Sequence, residues 1–462
     1  MCSIFRLSNI IAEFKYSIRL ALPLIAAEVI FALSGFTATV MIAHLGKEEL
    51  AANALVWNIY IAVILFFIGI LCSVSIMVSQ SFGAKDDKGI SICFKQGIIM
   101  ALIFALPMML LMWVISPVLV LAKQDSQVIR CAEPFFHALV WVMLPINIVI
   151  AIEQFLIGIT RTRIVMLVTI ITVPTQIFFY YLFLFGKFGL PKMGLAGIGY
   201  GLAISHSIVA ICLISYLLFS KTSEKYALFK KWWVVDKKFL TEMFRVGLPL
   251  GLMWCSEVTF FAVVAIMMGL LGVSTLAAFQ ITDQFLLIGL VVLFALSQNT
   301  AIRVGYEAGR GDRSKLKLTT AVNIMIGLGL VSIFSLFYTF FPQVAIGLDI
   351  DISSEHYKDV AMHALEFFPL AGILLFIDSI RLISNGALRG LKDTNCQLLI
   401  SIFGFWLIAF PTAYFLAFRF KFGGIGIWWG IIVSLFITGI VLLTRFIRLA
   451  KTIDLSLLVT KK

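Results

Sequence analysis

The chain has 462 residues, 61% of them hydrophobic and only 13% charged, where an ordinary soluble domain carries about 25% charged residues. This excludes a globular enzyme with a single anchor and defines an integral membrane protein. The formal net charge of +12 would suit a nucleic-acid binder, but Lys and Arg fall in alternate connections between apolar stretches, as insertion into a membrane requires, so no nucleic-acid partner is expected.

The opening stretch MCSIFRLSNIIAEFKYSIRL has no compact apolar core ending in a small-residue cleavage site, so the first span is expected to act as its own insertion signal. A spanning helix needs about 20 apolar residues. Twelve segments meet that length, near 20–44, 51–79, 91–122, 132–158, 164–186, 194–219, 244–271, 276–304, 317–347, 360–388, 396–418 and 424–449. One set of connections holds Lys85, Lys88, Lys95, then Arg161 and Arg163, then Lys221 to Lys238, then Arg303 to Lys317, then Arg389 and Lys392; on the other side, the loop near 349–359 is acidic. The basic set assigns both termini to the cytoplasmic face of the inner (plasma) membrane. The longest polar connection divides the chain into a six-helix lobe over 1–219, a cytoplasmic linker over 220–241 and a second six-helix lobe over 242–462.

The two halves repeat. SIRLALPLIAAE resembles MFRVGLPLGLMW, HLGKEELAANAL resembles LLGVSTLAAFQI, and SFGAKDDKGI resembles EAGRGDRSKL, all at one offset of 226 residues. That offset pairs Pro23 with Pro249, Gly46 with Gly272 and Asp86 with Asp312. FLIGITRTR with ALRGLKDTN and GIGYGLAIS with GIWWGIIVS follow at offsets of 232 and 229. Six helices per copy is an even number, so the copies are parallel and related by an axis along the membrane normal. Such an arrangement places a binding site between the lobes near the midplane and suits alternating access.

Glu257 lies in the middle of an apolar span, where a carboxylate costs about 2.5–3.5 kcal/mol. Its repeat partner is Phe31, and that of Asp378 is Ile146, so only the second copy carries these acids. At about 1.5 Å per residue, Glu257 is about 18 Å from Arg245 and Asp378 about 17 Å from Arg389, which puts them at one depth. If they face each other, two such carboxylates make a site for Na⁺, a hard cation that prefers oxygen ligands, or for H⁺; otherwise they are two separate acids, each hydrogen-bonded to backbone. Arg381 follows Asp378 by one turn and shares its face. It serves either as an ion-pair partner that makes Asp378 tolerable or as a competitor displaced by a cation or substrate. Asp283, about 30 Å from Arg303, either lines an outward vestibule beside Gln280 and Gln284 or is a solvated outer residue. Glu28 and Glu153, about 14 and 12 Å from Arg19 and Arg161, either add acidity to a central cavity or make polar contacts near the cytoplasmic ends.

Pro23 and Pro249 each remove a helix hydrogen bond and mark either gating bends or static kinks. The five histidines (His44, His137, His206, His356, His363) show no ligand spacing and are read as interfacial. The seven cysteines are read as small hydrophobes. The 42 Phe and 16 Met pack or face lipid, and also suit an adaptable apolar cavity. GLAGIGYG at 194–201 opens an apolar helix without a preceding strand and matches GGIGIWWG at 423–430; both signal close helix packing. No nucleotide-binding loop, nucleophile–base arrangement or zinc motif is present, so neither catalysis nor a cofactor is expected.

Taken in order, the duplicated twelve helices, the proline of each first helix, the LG…LAA pattern, the G-x-x-D turn and ALRGLKDT resemble the multidrug and toxic compound extrusion (MATE) family, over essentially the whole chain. The NorM-type branch is most similar: it places a Glu in the seventh helix and an Asp eleven residues before the Arg of ALRG, matched here by Glu257 and Asp378. The resemblance implies V-shaped lobes around a central cavity, and export of cationic or amphipathic organic compounds by a monomer in exchange for Na⁺ or H⁺. Many members carry an Asp in the first helix within D-T-V-M-A-G; here the run is ATVMIAHLG and that position is Ala38. Arg381 and Asp283 also stand outside the family pattern. Two alternatives are a lipid-linked precursor flippase, which needs a basic rather than acidic cavity, and a membrane enzyme or receptor, which needs a catalytic constellation or a sensing domain.

Overall fold

A computed structural model describes residues 7–43, 45–121, 126–352 and 354–459. Twelve helices in it are long and apolar enough to cross a membrane. In lipid every backbone polar group must be satisfied within the chain, which leaves the helix as the structure for such segments. The first six are α1 (Leu7–Ala43), α2 (Lys47–Gly83), α3 (Asp87–Leu121), α4 (Ser126–Gly158), α5 (Thr162–Phe185) and α6 (Leu195–Leu218). A short α7 (Lys221–Tyr226) leads into α8 (Lys237–Leu271), α9 (Val273–Gly309) and α10 (Arg313–Phe340). Pro342 then starts a separate short helix, α11 (Pro342–Asp349). The span expected to reach residue 347 therefore ends seven residues earlier, because proline cannot continue the preceding helix.

The remaining helices are α12 (Lys358–Gly390), α13 (Thr394–Ile402), α14 (Phe410–Tyr414) and α15 (Gly423–Thr452). Helices α13 and α14 are parts of one span, joined by a π-helical stretch over Phe403–Ala409 and followed by another over Phe415–Arg419. Pro411 lacks a backbone N–H and its ring crowds the carbonyl four residues back, which widens the preceding turns.

Local chemistry repeats at the spacing of the duplication. Asp86 accepts a hydrogen bond from Gly89 N at 3.0 Å, and Asp312 from Lys315 N at 3.1 Å, each capping the third helix of its copy. Gly272 alone separates α8 from α9 and takes a φ of 138°, which side-chain-bearing residues rarely adopt.

Contacts divide the chain into two compact units. One holds the start of α1 up to Ile25 together with Leu252–Leu458; the other holds Ala26–Gly251. The first helix of each copy thus begins in one unit and continues in the other, and the change falls two residues after Pro23 and two after Pro249. In the Ala26–Gly251 unit, α4 packs on α2, α3 and α6 around Phe135, Phe136 and Met143. The first half of α8 lies against α2 so closely that a Cβ on Gly69 would stand 2.6 Å from Gly251 Cα, and one on Gly247 would stand 2.7 Å from Ile70 Cα. The linker is ordered on α3: Gln96 Nε2 donates to Val234 O at 2.9 Å, and the Phe229 ring meets Phe94 edge-on at 5.9 Å. In the other unit, α12 occupies the central place, packed on α9, α10 and α15 around Phe367, Phe368 and Trp428. The start of α1 seats Ala21, Ile18 and Ile25 against Leu296, Val322 and their neighbours.

Candidate functional site

Asp378 and Arg381 share one face of α12 because they are three residues apart. Glu257 reaches the same place from α8. The Arg381 guanidinium spans both acids. Its Nη1 donates to Glu257 Oε1 at 2.8 Å, its Nη2 to Asp378 Oδ2 at 3.4 Å, and its Nε to Asp378 Oδ1. The side chains of Arg381, Asp378 and Glu257 are only 5%, 3% and 12% exposed.

The surroundings fix this geometry. The guanidinium carbon lies 5.3 Å from the centre of the Phe405 ring, a cation–π contact strengthened by exclusion of water. Phe405 belongs to the first π-helical stretch, so Pro411 has a part in where the ring falls. The next residue, Trp406, donates from Nε1 to Ser256 Oγ at 3.0 Å, tying this span to α8 beside Glu257. Gly439 on α15 faces the Arg381 backbone, where a Cβ would sit 3.6 Å away.

With both acids ionised, these three residues sum to one negative charge. One proton or one monovalent cation neutralises that sum. Protonation needs only a carboxylate lone pair. Direct coordination of Na⁺ by both acids requires the guanidinium to give up part of its hold. Among the described residues no group of three or more His, Cys, Asp or Glu is placed to hold a metal ion.

The other acidic and glutamine candidates are carried by helices other than α8 and α12. Asp283 is half-buried on α9, with Gln280 and Gln284 exposed on the same helix. Glu28, exposed on α1, and Glu153, half-buried on α4, are within electrostatic reach of each other in the Ala26–Gly251 unit. Ala38 is buried in that unit's apolar core, so this position supplies no carboxylate. His206 is not interfacial but buried in α6, its Nδ1 3.0 Å from Leu202 O; His137 stacks on Trp113. His44 and Cys2 lie outside the described residues, and the six described cysteines form no disulfide with one another.

A second buried cluster escaped sequence reasoning. Arg303, expected in a loop, sits inside α9 and is 4% exposed. Its Nη2 donates to Glu13 Oε2 at 2.7 Å and its Nε to Glu13 Oε1 at 3.1 Å; Nη2 also reaches Glu307 at 3.2 Å. Thr319 Oγ1 donates to Glu13 Oε1 at 3.0 Å, and Asn323 connects to Ser17 and Asn299. The available signal was three polar pairs at i,i+4 spacing: Glu13/Ser17, Arg303/Glu307 and Thr319/Asn323. The repeat partners of Glu13, Ser17, Arg303 and Thr319 are Phe239, Met243, Met77 and Cys93, all buried. One copy fastens its helices with charge where the other uses apolar packing.

A duplicated chain of twelve apolar helices, each long enough to cross a membrane, is an architecture found among membrane transporters. The MatE family profile matches the chain twice, over residues 23–182 and 249–415, beginning at the two paired prolines. The chain belongs to the MatE family, a family of transporters, and is not an enzyme. It is 28% identical over 442 residues to a probable multidrug resistance protein NorM of Rhizobium meliloti (strain 1021), covering 96% of this chain and 95% of that one. It is 30% identical over 421 residues to a probable multidrug resistance protein NorM of Pseudomonas aeruginosa, covering 91% and 86%. Among solved structures, a MATE protein in its bent conformation superposes with a TM-score of 0.86 at 18% identity, over 95% of this chain and 96% of that one. A MOP superfamily transporter from Pyrococcus furiosus gives a TM-score of 0.86 at 20% identity, over 96% and 97%. At these identities the two structures speak for the fold alone.

Proposed function

We propose that this transporter exports cationic or amphipathic organic compounds by alternating access, in exchange for Na⁺ or H⁺ bound at Glu257 and Asp378. The observation that carries the reading is the buried guanidinium of Arg381 between the two acids, a cluster one positive charge short of neutrality. Two relatives named for multidrug resistance support the substrate class. Intramembrane carboxylates at this depth are expensive and are kept where ions or protons move.

In this reading Arg381 does more than neutralise Asp378. A coupling ion neutralises the remaining charge and loosens the hold of Arg381 on one acid, so the ion binds with different strength in the two conformations. Such a difference is the condition for an ion gradient to shift a conformational equilibrium. Asp283, Gln280 and Gln284 line the outward route, Glu28 and Glu153 add acidity to the substrate path, and Pro23 and Pro249 are the bends about which the first helices move. The inner membrane is the site of action and both termini face the cytoplasm.

The test is efflux of a cationic dye from proteoliposomes, with a Na⁺ gradient and a pH gradient imposed separately. One of the two gradients drives efflux and thereby names the coupling ion. Efflux that ignores both removes the antiport reading.

A further inference from the structure

Where α2, the α4–α5 turn and α7 meet in the Ala26–Gly251 unit, they form a half-open cavity of about 290 Å³ lined by Phe82, Ile159, Arg161, Lys221, Thr222, Lys225 and Tyr226. Three of the lining residues, Arg161, Lys221 and Lys225, are cationic. The guanidinium of Arg161 is oriented by the Tyr216 hydroxyl, to which Nη1 donates at 3.2 Å. Lys225 Nζ lies 4.8 Å from the centre of the Tyr226 ring. A hydrogen bond with Tyr226 is the main cause that raises the Lys225 ammonium above its ordinary range, with Asp87 adding to it and Arg161 opposing it. Thr222 is 3% exposed and its Oγ1 has no hydrogen-bond partner.

The segment that follows has the composition of a membrane-surface anchor. Trp232, Trp233, Val234 and Val235 are 44%, 66%, 52% and 50% exposed, beside Lys230 and Lys231. Trp favours the headgroup level of a bilayer. The segment is held in place on α3 through Gln96 and Phe94, so cavity and aromatic surface belong to one ordered layer.

We propose that this cavity binds the phosphate headgroup of an anionic phospholipid from the adjoining leaflet, with Arg161, Lys221 and Lys225 as counter-charges and Thr222 as hydroxyl donor. Basic pockets at the ends of spanning helices recognise such headgroups through phosphate charge. The exposed tryptophans favour a lipid over a free phosphate as the source, because they place the layer at the depth where headgroups lie. The bound lipid fixes the linker between the two repeats.

The experiment titrates the purified full chain in detergent with phosphatidylglycerol, phosphatidylcholine or inorganic phosphate, and counts bound molecules by native mass spectrometry. Phosphatidylglycerol binds most tightly to the wild type. Arg161→Gln and Lys225→Gln each weaken that binding about fivefold, and Thr222→Val weakens it with no change of charge. Lys237→Gln/Lys238→Gln removes two charges at the start of α8 that do not line the cavity, and leaves the binding unchanged. An unchanged melting temperature in each variant shows that the fold is intact. Equal weakening in all variants, or none in any, overturns the site. Displacement of the lipid by equimolar inorganic phosphate overturns the assignment to lipid.

Discussion

Two buried arginines in one unit do different work, and substitution separates them. Arg381 holds two acids from different helices, so Arg381→Met leaves Glu257 and Asp378 buried without the ion-pair partner they share. Removing one partner of a buried pair costs about 3–5 kcal/mol, and the variant is expected to unfold at a clearly lower temperature in detergent. Adding Glu257→Gln and Asp378→Asn to it restores most of the loss. Arg303 has the same dependence on Glu13. Glu13→Leu and Arg303→Met each lower the melting temperature, and the double variant recovers much of the loss because both members of the pair are gone and Glu307 keeps Arg310 at 3.6 Å. Simple additivity of the two effects would show that the pair is not coupled.

The sequence made Glu257, Asp378 and Arg381 visible because charge inside an apolar span is rare and the repeat supplied uncharged partners for comparison. It did not show that Arg381 bridges to Glu257, since a contact 124 residues apart depends on how α8 and α12 pack. Glu13 was missed because it precedes the apolar stretch, and the length criterion starts the first span at residue 20 whereas α1 begins at Leu7.

At the level of the helix, close approach is the controlling feature. Gly247, Gly251 and Gly69 let the backbones of α8 and α2 touch, which repays the absence of a hydrophobic driving force between helices in lipid. Gly247→Ala pushes a methyl group into the Ile70 backbone and is expected to destabilise by about 1–3 kcal/mol, the usual range for overpacking. Gly329→Ala is the control: an added Cβ there meets nothing within 4 Å, and the gain in helix propensity is about 0.5–1 kcal/mol. Thermal denaturation of both variants decides the matter, and equal melting temperatures would refute the packing argument. Apolar length disclosed the twelve spans. The two π-helical stretches around Pro411 were not foreseeable, because a proline permits a kink, a break or a wider turn and neighbouring helices choose among them.

For the molecule as a whole, the duplication was the most legible property. The 226-residue offset, carried by Pro23/Pro249 and Asp86/Asp312, reappears as matched helix caps and as two family matches beginning at the same prolines. The expected lobes follow the repeats, whereas the contact-defined units change within α1 and α8. Composition shows where the chain crosses the membrane, but not which half of a crossing helix packs with which copy.

In the proposed reading, ion coupling resides in the second copy, at Glu257 and Asp378, and in no acid of the first. Gradient-driven dye efflux from proteoliposomes tests this most directly, with Glu257→Gln and Asp378→Asn compared against wild type at equal reconstitution and equal melting temperature. Each variant is expected to lose efflux under the gradient that drives the wild type. Full gradient-driven efflux in both variants would contradict the account.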